Sequence, residues 1–256
     1  MRHILIMKAE KLYLSSIGED AAACAAAFGL GVELAQFCTA MNLDDGSYIR
    51  QSLADCLAAS PRRIFHGPYH ELTPAAVDPL VLEITRKRYR QAAEKAAELG
   101  CEKLVLHAGF VPQVYFPEWF TARSIEFWGQ MMDELPESLT VCLENVMEPE
   151  PDMLLTIVNA VDHPRLRLCL DVGHANTFVS EVPPAVWLER LSPYLSHVHL
   201  HNNLGGNDLH APLPEGSIDM EAFLTRLEML CPEATCTLEL RRCRDSILWM
   251  KEKRFL

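Results

Sequence analysis

The chain has 256 residues, 49% of them hydrophobic and 23% charged, with a net charge of −12. That length suits one barrel of alternating strands and helices, which needs roughly 250 residues, and the apolar share excludes a disordered chain. The negative balance argues against a nonspecific polyanion binder, which presents a basic surface. Nine cysteines without a Cys-x-x-Cys pair, several inside apolar runs (Cys142, Cys169, Cys236), point to buried thiols in a reducing compartment rather than a disulfide framework. The apolar stretch within residues 1–8 is too short for a signal peptide, and no run reaches membrane-spanning length. The expectation is a cytoplasmic protein with no membrane partner.

Hydrophobic period and breakers predict a regular alternation. A first strand over 11–16 leads into an Ala-rich helix over 19–28, and a second over 31–37 into a helix over 48–59. A third strand over 62–66 is closed by Gly67-Pro68. A long amphipathic helix over 79–99 then ends at Gly100, a residue suited to the left-handed turn that stops helices. A fourth strand over 103–108 precedes a helix over 117–135, a fifth over 140–144 a helix over 151–161, and a sixth over 165–171 a helix over 184–191. A seventh strand over 196–201 runs into a long polar loop before a helix over 220–230. An eighth over 235–240 precedes a closing helix over 245–253. Residues 4–7 compete with 11–16 for the first strand. Eight strand–helix repeats without a linker predict an α/β fold, a single (β/α)8 TIM barrel forming one domain over residues 1–256, with an open doubly wound sheet as the alternative.

Acidic and imidazole side chains collect at the downstream ends of these apolar runs. Leu104-Val-Leu-His107 ends in His107, Val141-Cys-Leu-Glu144 in Glu144, and Cys236-Thr-Leu-Glu239 in Glu239. Leu168-Cys-Leu-Asp171 runs on to Gly173 and His174, and Val198-His199 leads into Leu200. Parallel strands bring such residues to one mouth of a barrel. Alternation puts His197, His199 and His201 on one face at increasing height, and Asp208 and His210 follow between Gly205-Gly206 and Pro214-Glu215-Gly216. A lone strand histidine is most often a hydrogen-bonded core residue. Donors ending five strands instead point to a divalent metal ion, since imidazole suits zinc and manganese and carboxylates suit harder ions.

These motifs resemble the xylose isomerase-like TIM-barrel superfamily, which holds sugar phosphate isomerases and epimerases together with endonuclease IV. The resemblance rests on Leu-Glu144-Asn, Leu-Asp171-Val-Gly-His174, His-Val-His199-Leu, Asp208-Leu-His210 with Pro214-Glu-Gly216, and Leu-Glu239-Leu. It extends to His66-Gly-Pro-Tyr69 and His107-Ala-Gly109, and so covers nearly the whole chain. It implies one divalent ion (Mn2+, Zn2+, Co2+ or Mg2+) held by Glu144, Asp171, His199 and Glu239, with no organic cofactor. An endonuclease IV-like site implies that His66, His107, His174, Asp208 and His210 join them as further zinc ligands; otherwise these five bind substrate or support the ligands. The sequence departs from the pattern at His199-Leu-His201-Asn202, where an amide replaces a carboxylate, and at His107-Ala-Gly-Phe110, where the endonuclease has a longer histidine motif.

What the resemblance implies is an isomerase or epimerase of a sugar or sugar phosphate, working by proton transfer through a metal-stabilised enediolate. Glu144 and Glu239 would be its acid and base, requiring a raised carboxyl pKa or a protonated partner. The alternative is an endonuclease IV-like phosphodiesterase at abasic DNA sites. That chemistry needs a basic groove, whereas the loops at Ile17-Gly-Glu-Asp20 and over 39–46, with Asp44-Asp45, carry acids. A carbohydrate partner is therefore preferred to a nucleic acid. A metal-binding barrel without turnover ranks last, since neither glutamate is lost. Arg241 and Arg242 are candidates for a substrate phosphate. Tyr69 and the aromatic 110–119 loop would lid a sugar or stack on bases, and the helix over 119–128 is a candidate homo-oligomer contact.

Overall fold

The computed structural model describes residues 7–256. Its strands are β1 (Leu12–Ser15), β2 (Gly31–Leu34), β3 (Arg63–His66), β4 (Lys103–His107), β5 (Thr140–Glu144), β6 (Leu166–Asp171), β7 (Leu195–Leu200) and β8 (Thr235–Leu238). Each pairs in parallel with the next, and β1 pairs with β8, so the sheet closes into a barrel. The predicted (β/α)8 fold is the observed one. Around it lie α1 (Ala21–Phe28), α2 (Met41–Asp44), α3 (Arg50–Ala59), α4 (Pro79–Glu98), α5 (Pro117–Met131), α6 (Asp152–Val161), α7 (Pro184–Leu191), α8 (Met220–Leu230) and α9 (Arg244–Glu252). Among the described residues, no helix is long and apolar enough to cross a membrane.

Local chemistry explains the boundaries. The Asp78 side chain accepts from Leu80 N–H and Pro79 starts α4, while Gly100 at φ +68° lets the chain turn away after it. Asp219 caps α8 by accepting from Ala222 N–H. The second strand stops at Leu34, short of the predicted 37, because Ser16 Oγ takes the Ala35 N–H at 2.8 Å and draws it off the ladder. Helix α5 ends at Met131 rather than 135: Pro136 lies ahead, and Arg165 binds the Met132 carbonyl at 2.9 Å. The rival first strand over 4–7 falls outside the described residues except for Met7, whose N–H bonds to Phe255 O.

Strand alternation separates two cores. Outward residues such as Leu12, Leu14, Leu143 and Leu170 pack with Trp128 and Trp187 of the helices. Inward residues Tyr13, Ile64, Val105, Cys142 and Cys169 form a separate cluster inside the barrel. Gly31 is required there, because a Cβ on it would lie 2.2 Å from the Tyr13 ring. The nine cysteines are all free thiols, eight of them buried, as the apolar runs around them imply. Above this apolar plug the inward positions turn polar, and they are the ones that end the strands.

Candidate metal centre

Register and alternation bring four strand-end residues together. The Nδ1 atom of His199 lies 3.2 Å from Glu144 Oε1, 3.2 Å from Glu239 Oε2 and 3.6 Å from Asp171 Oδ2. The four donor atoms all lie within 4.8 Å of one another. Donors about 2.1 Å from one ion sit about 3.0–3.4 Å apart, so the spacing fits a single cation. Burial is deep: Asp171 and His199 have no exposure, Glu144 1% and Glu239 9%. Carboxylates buried this close together need a cation or protons between them.

Four of the histidines have one nitrogen committed away from the carboxylates they face. Carbonyl and carboxylate oxygens only accept, so a ring nitrogen bonded to one must carry the proton. His66 Nδ1 donates to Gly67 O (3.0 Å), His174 Nδ1 to Asn145 O (2.9 Å), His210 Nδ1 to Glu239 O (2.8 Å) and His199 Nε2 to Glu33 Oε1 (3.0 Å). In each ring the other nitrogen faces a carboxylate, where it either carries a second proton or binds a cation. His66 Nε2 is 3.3 Å and His107 Nε2 3.5 Å from Glu144 Oε2, an oxygen without a hydrogen bond to either. His174 Nε2 and His210 Nε2 face Asp208 Oδ2 at 3.4 and 2.8 Å. A lone pair aimed at an anion is repulsive unless a proton or a metal ion intervenes, and metal-bound histidines are held in this way. The donors therefore fit a divalent ion at the central group. Two flanking groups, His66–His107–Glu144 and His201–His210–Glu239, have compatible spacing.

The electrostatics describe the other option, in which protons on the imidazoles take the place of a cation. Burial pushes the Glu144, Asp171 and Glu239 carboxyls up, but the surrounding imidazoles, His199 foremost for the two glutamates and His174 for Asp171, hold all three below their ordinary values. Of the two alternatives set out from the sequence, a raised carboxyl pKa or a protonated partner, the surrounding imidazoles do not favour the first. Burial pulls His174 down, yet Asp171, Asp208 and Glu144 raise it to about 10. His107 drops to about 4, because burial and its cationic neighbours outweigh Glu144.

All nine residues singled out in the sequence thus converge on the downstream mouth. Others carry no clear sign of it in the sequence. Alternation alone places His201 on the inner face; its Nε2 bonds both Asp171 oxygens at 2.9 and 3.0 Å, and its Nδ1 is buried without a partner. Gly173 makes room for that ring, since a Cβ there would fall 1.9 Å from His201. Asn145 clamps Asp171 through both backbone groups, at 2.8 and 3.0 Å. Glu33 lies in the middle of β2, where no strand-end signal marks it. Beside His107 opens a cavity of about 360 Å3 lined by Tyr69, Phe110, Val114, Tyr115 and Met147. Arg241 and Arg242, just past β8, extend toward Glu19 and border a second cavity of about 390 Å3 with His210.

Fold and site together define a TIM barrel with a carboxylate-and-imidazole centre at the downstream end of its strands. The chain belongs to the xylose isomerase-like TIM barrel family, whose model matches residues 24–253. It is 29% identical over 198 residues to the uncharacterized protein MJ1311 of Methanocaldococcus jannaschii, covering 72% of this chain and 66% of that one, just under two thirds of the relative's length. A probable endonuclease 4 of Mycobacterium leprae is 24% identical over 215 residues, 79% of this chain and 83% of that protein. The TTHB071 protein from Thermus thermophilus, solved with ZnCl2 soaking, matches with a TM-score of 0.77 at 26% identity over 96% of this chain and 98% of that one. A D-tagatose 3-epimerase-like protein matches with a TM-score of 0.75 at 24% identity over 95% and 96% of the two chains, a likeness of fold.

Proposed function

We propose that this chain is a divalent-metal-dependent isomerase or epimerase of a sugar or sugar phosphate. The observation that carries the proposal is the meeting of Glu144 and Glu239, from the ends of β5 and β8, at one nitrogen of His199. A divalent ion bound there, held by Glu144, Asp171, His199 and Glu239, would supply Lewis-acid polarisation of a substrate carbonyl and lower the cost of losing the neighbouring proton. Asp171 and His199, wholly buried, serve only to hold it. Glu144 lies beside His107, which lines the adjoining cavity, and Glu239 keeps some exposure, so one would remove a proton from carbon and the other return one, to the adjacent carbon or the opposite face. The adjoining cavity, walled by Tyr69, Phe110 and Tyr115, suits a small molecule. The fold shared with a D-tagatose 3-epimerase-like protein is in keeping with this chemistry.

A second reading has its own support. The flanking groups His66–His107–Glu144 and His201–His210–Glu239, with Asp208 between His174 and His210, would accommodate further ions for metal-assisted phosphodiester hydrolysis at abasic sites, and a probable endonuclease 4 is among the relatives. The charge balance opposes it, because a duplex needs a basic groove and the net charge is −12. Metal analysis and isotope exchange separate the two. About one ion per chain and Mn2+-dependent exchange of a substrate C–H for deuterium, cut at least ~100-fold by Glu239→Gln, are expected. About three zinc ions, cleavage of an abasic duplex and no exchange with any ketose would reverse the ranking.

A further inference from the structure

We propose that Glu33 is a positioning residue of the metal centre, orienting His199 and tying it through His197 to a lysine at the barrel floor; this rests on the metal-holding role of His199 proposed above. Glu33 is a carboxylate 1% exposed in the middle of β2, a costly place for a charge unless every oxygen is used. Both are used. Oε1 accepts from His199 Nε2 at 3.0 Å, and Oε2 from His197 Nε2 at 3.0 Å and from the Thr237 hydroxyl. With its Nε2 committed as a donor, His199 has only Nδ1 to offer a cation, the atom facing Glu144, Asp171 and Glu239.

The polarity of this arrangement is set from below. Lys103, at the start of β4, has only protons to give, and its Nζ donates to Ser196 O at 2.5 Å and to Thr235 Oγ1 at 2.8 Å. The Thr235 hydroxyl proton is then free for His197 Nδ1, 2.6 Å away. His197 accepts it and so carries its own proton on Nε2, aimed at Glu33. The donations run from Lys103 through Thr235 and His197 into Glu33, which accepts from His199 on its other oxygen. The rest of the barrel interior is filled by Tyr13, Ile64, Val105, Cys142 and Cys169, so the chain of polar groups runs through otherwise apolar packing.

The test is Zn2+ affinity by chelator competition for wild type and Glu33→Gln, with long-range 1H–15N spectra of histidine-labelled protein. Glutamine keeps the size but presents an amide donor to one of the two Nε2–H groups, so one imidazole must move its proton to Nδ1. Affinity about 10–100-fold weaker in Glu33→Gln is expected. In the wild type, His199 should show a proton on Nε2 and zinc on Nδ1, a signature that mere packing by Glu33 would not set. Should Glu33→Gln not fold, the wild-type spectra decide alone. Zinc on His199 Nε2, or a Glu33→Gln affinity within about twofold of wild type, overturns the proposal. A wild type that takes up no zinc overturns the metal-holding role of His199 and this inference with it. Wild-type uptake with unchanged Glu33→Gln affinity overturns the role of Glu33 alone.

Discussion

Glu148 lies four residues past Glu144 in the turn after β5, 3% exposed, with Oε2 accepting from Val146 N–H at 2.7 Å and Oε1 without a partner. Burial raises its carboxyl from 4.5 to about 7, against the pull of nearby backbone N–H groups. The folded state therefore holds this proton over a range where the unfolded chain has released it. A raised carboxyl contributes stability that is present below about pH 4.5 and is lost as pH climbs to about 7, on the order of 3 kcal/mol in all. Glu148→Gln removes this titration. Urea unfolding of both proteins should show the variant gaining about 2–3 kcal/mol on wild type between pH 5 and pH 8; a pH-independent difference would refute the assignment. Nothing in the sequence marks Glu148, because an acid in a loop reads as solvated until its neighbours are known. Glu33 and His201 escape for related reasons: one sits mid-strand instead of at a strand end, and the other sits among three alternating histidines whose partners lie on β2, β6 and the following loop.

At the level of elements, the loop after β7 carries Asp208 and His210 to the mouth, and one amide holds it there. Asn202 Nδ2 donates to Leu213 O at 2.9 Å and Ile218 O at 3.1 Å, while its Oδ1 accepts from Asn203 N–H and Ile218 N–H at 2.9 and 3.1 Å. Its backbone also pairs with Ala211. Here the structure explains the departure from the family pattern seen in the sequence. A carboxylate at 202 has no donors for Leu213 O and Ile218 O, so the amide is what this loop closure demands. Asn202→Asp should cost about 2–5 kcal/mol at pH 8, since two buried carbonyls lose their donors beside a new charge. It should also speed limited proteolysis within residues 203–218. Wild-type stability and protection would show that the loop is held by other contacts.

Across the whole molecule, the ends of six strands, β3 to β8, and one loop supply the central and flanking donors, so a bound ion would link distant segments and is coupled to the closure of the barrel. A cation that binds the folded protein alone, at 100 times its dissociation constant, stabilises by about 2.7 kcal/mol. For a chain of this size that corresponds to roughly 5–10 °C in melting temperature. Thermal scans with Zn2+ or Mn2+, reversed by chelator, should show a rise of that size. Asp171→Asn should abolish most of it, because Asp171 faces His199 within the central group and accepts from His201. An unchanged melting temperature at saturating metal would contradict the coupling.

The order of strands and helices was legible because apolar runs of period two alternate with helical patterns, and those patterns depend only on neighbours along the chain. The nine donors were legible because a parallel barrel carries every strand end to one rim, so position within a run stands in for position in space. Which nitrogen of each histidine carries the proton was not legible, nor was the role of Glu33, the space Gly173 leaves for His201, or the four bonds of Asn202. Each depends on an atom contributed by a segment far away in sequence, and only closure of β8 onto β1 brings those atoms within reach.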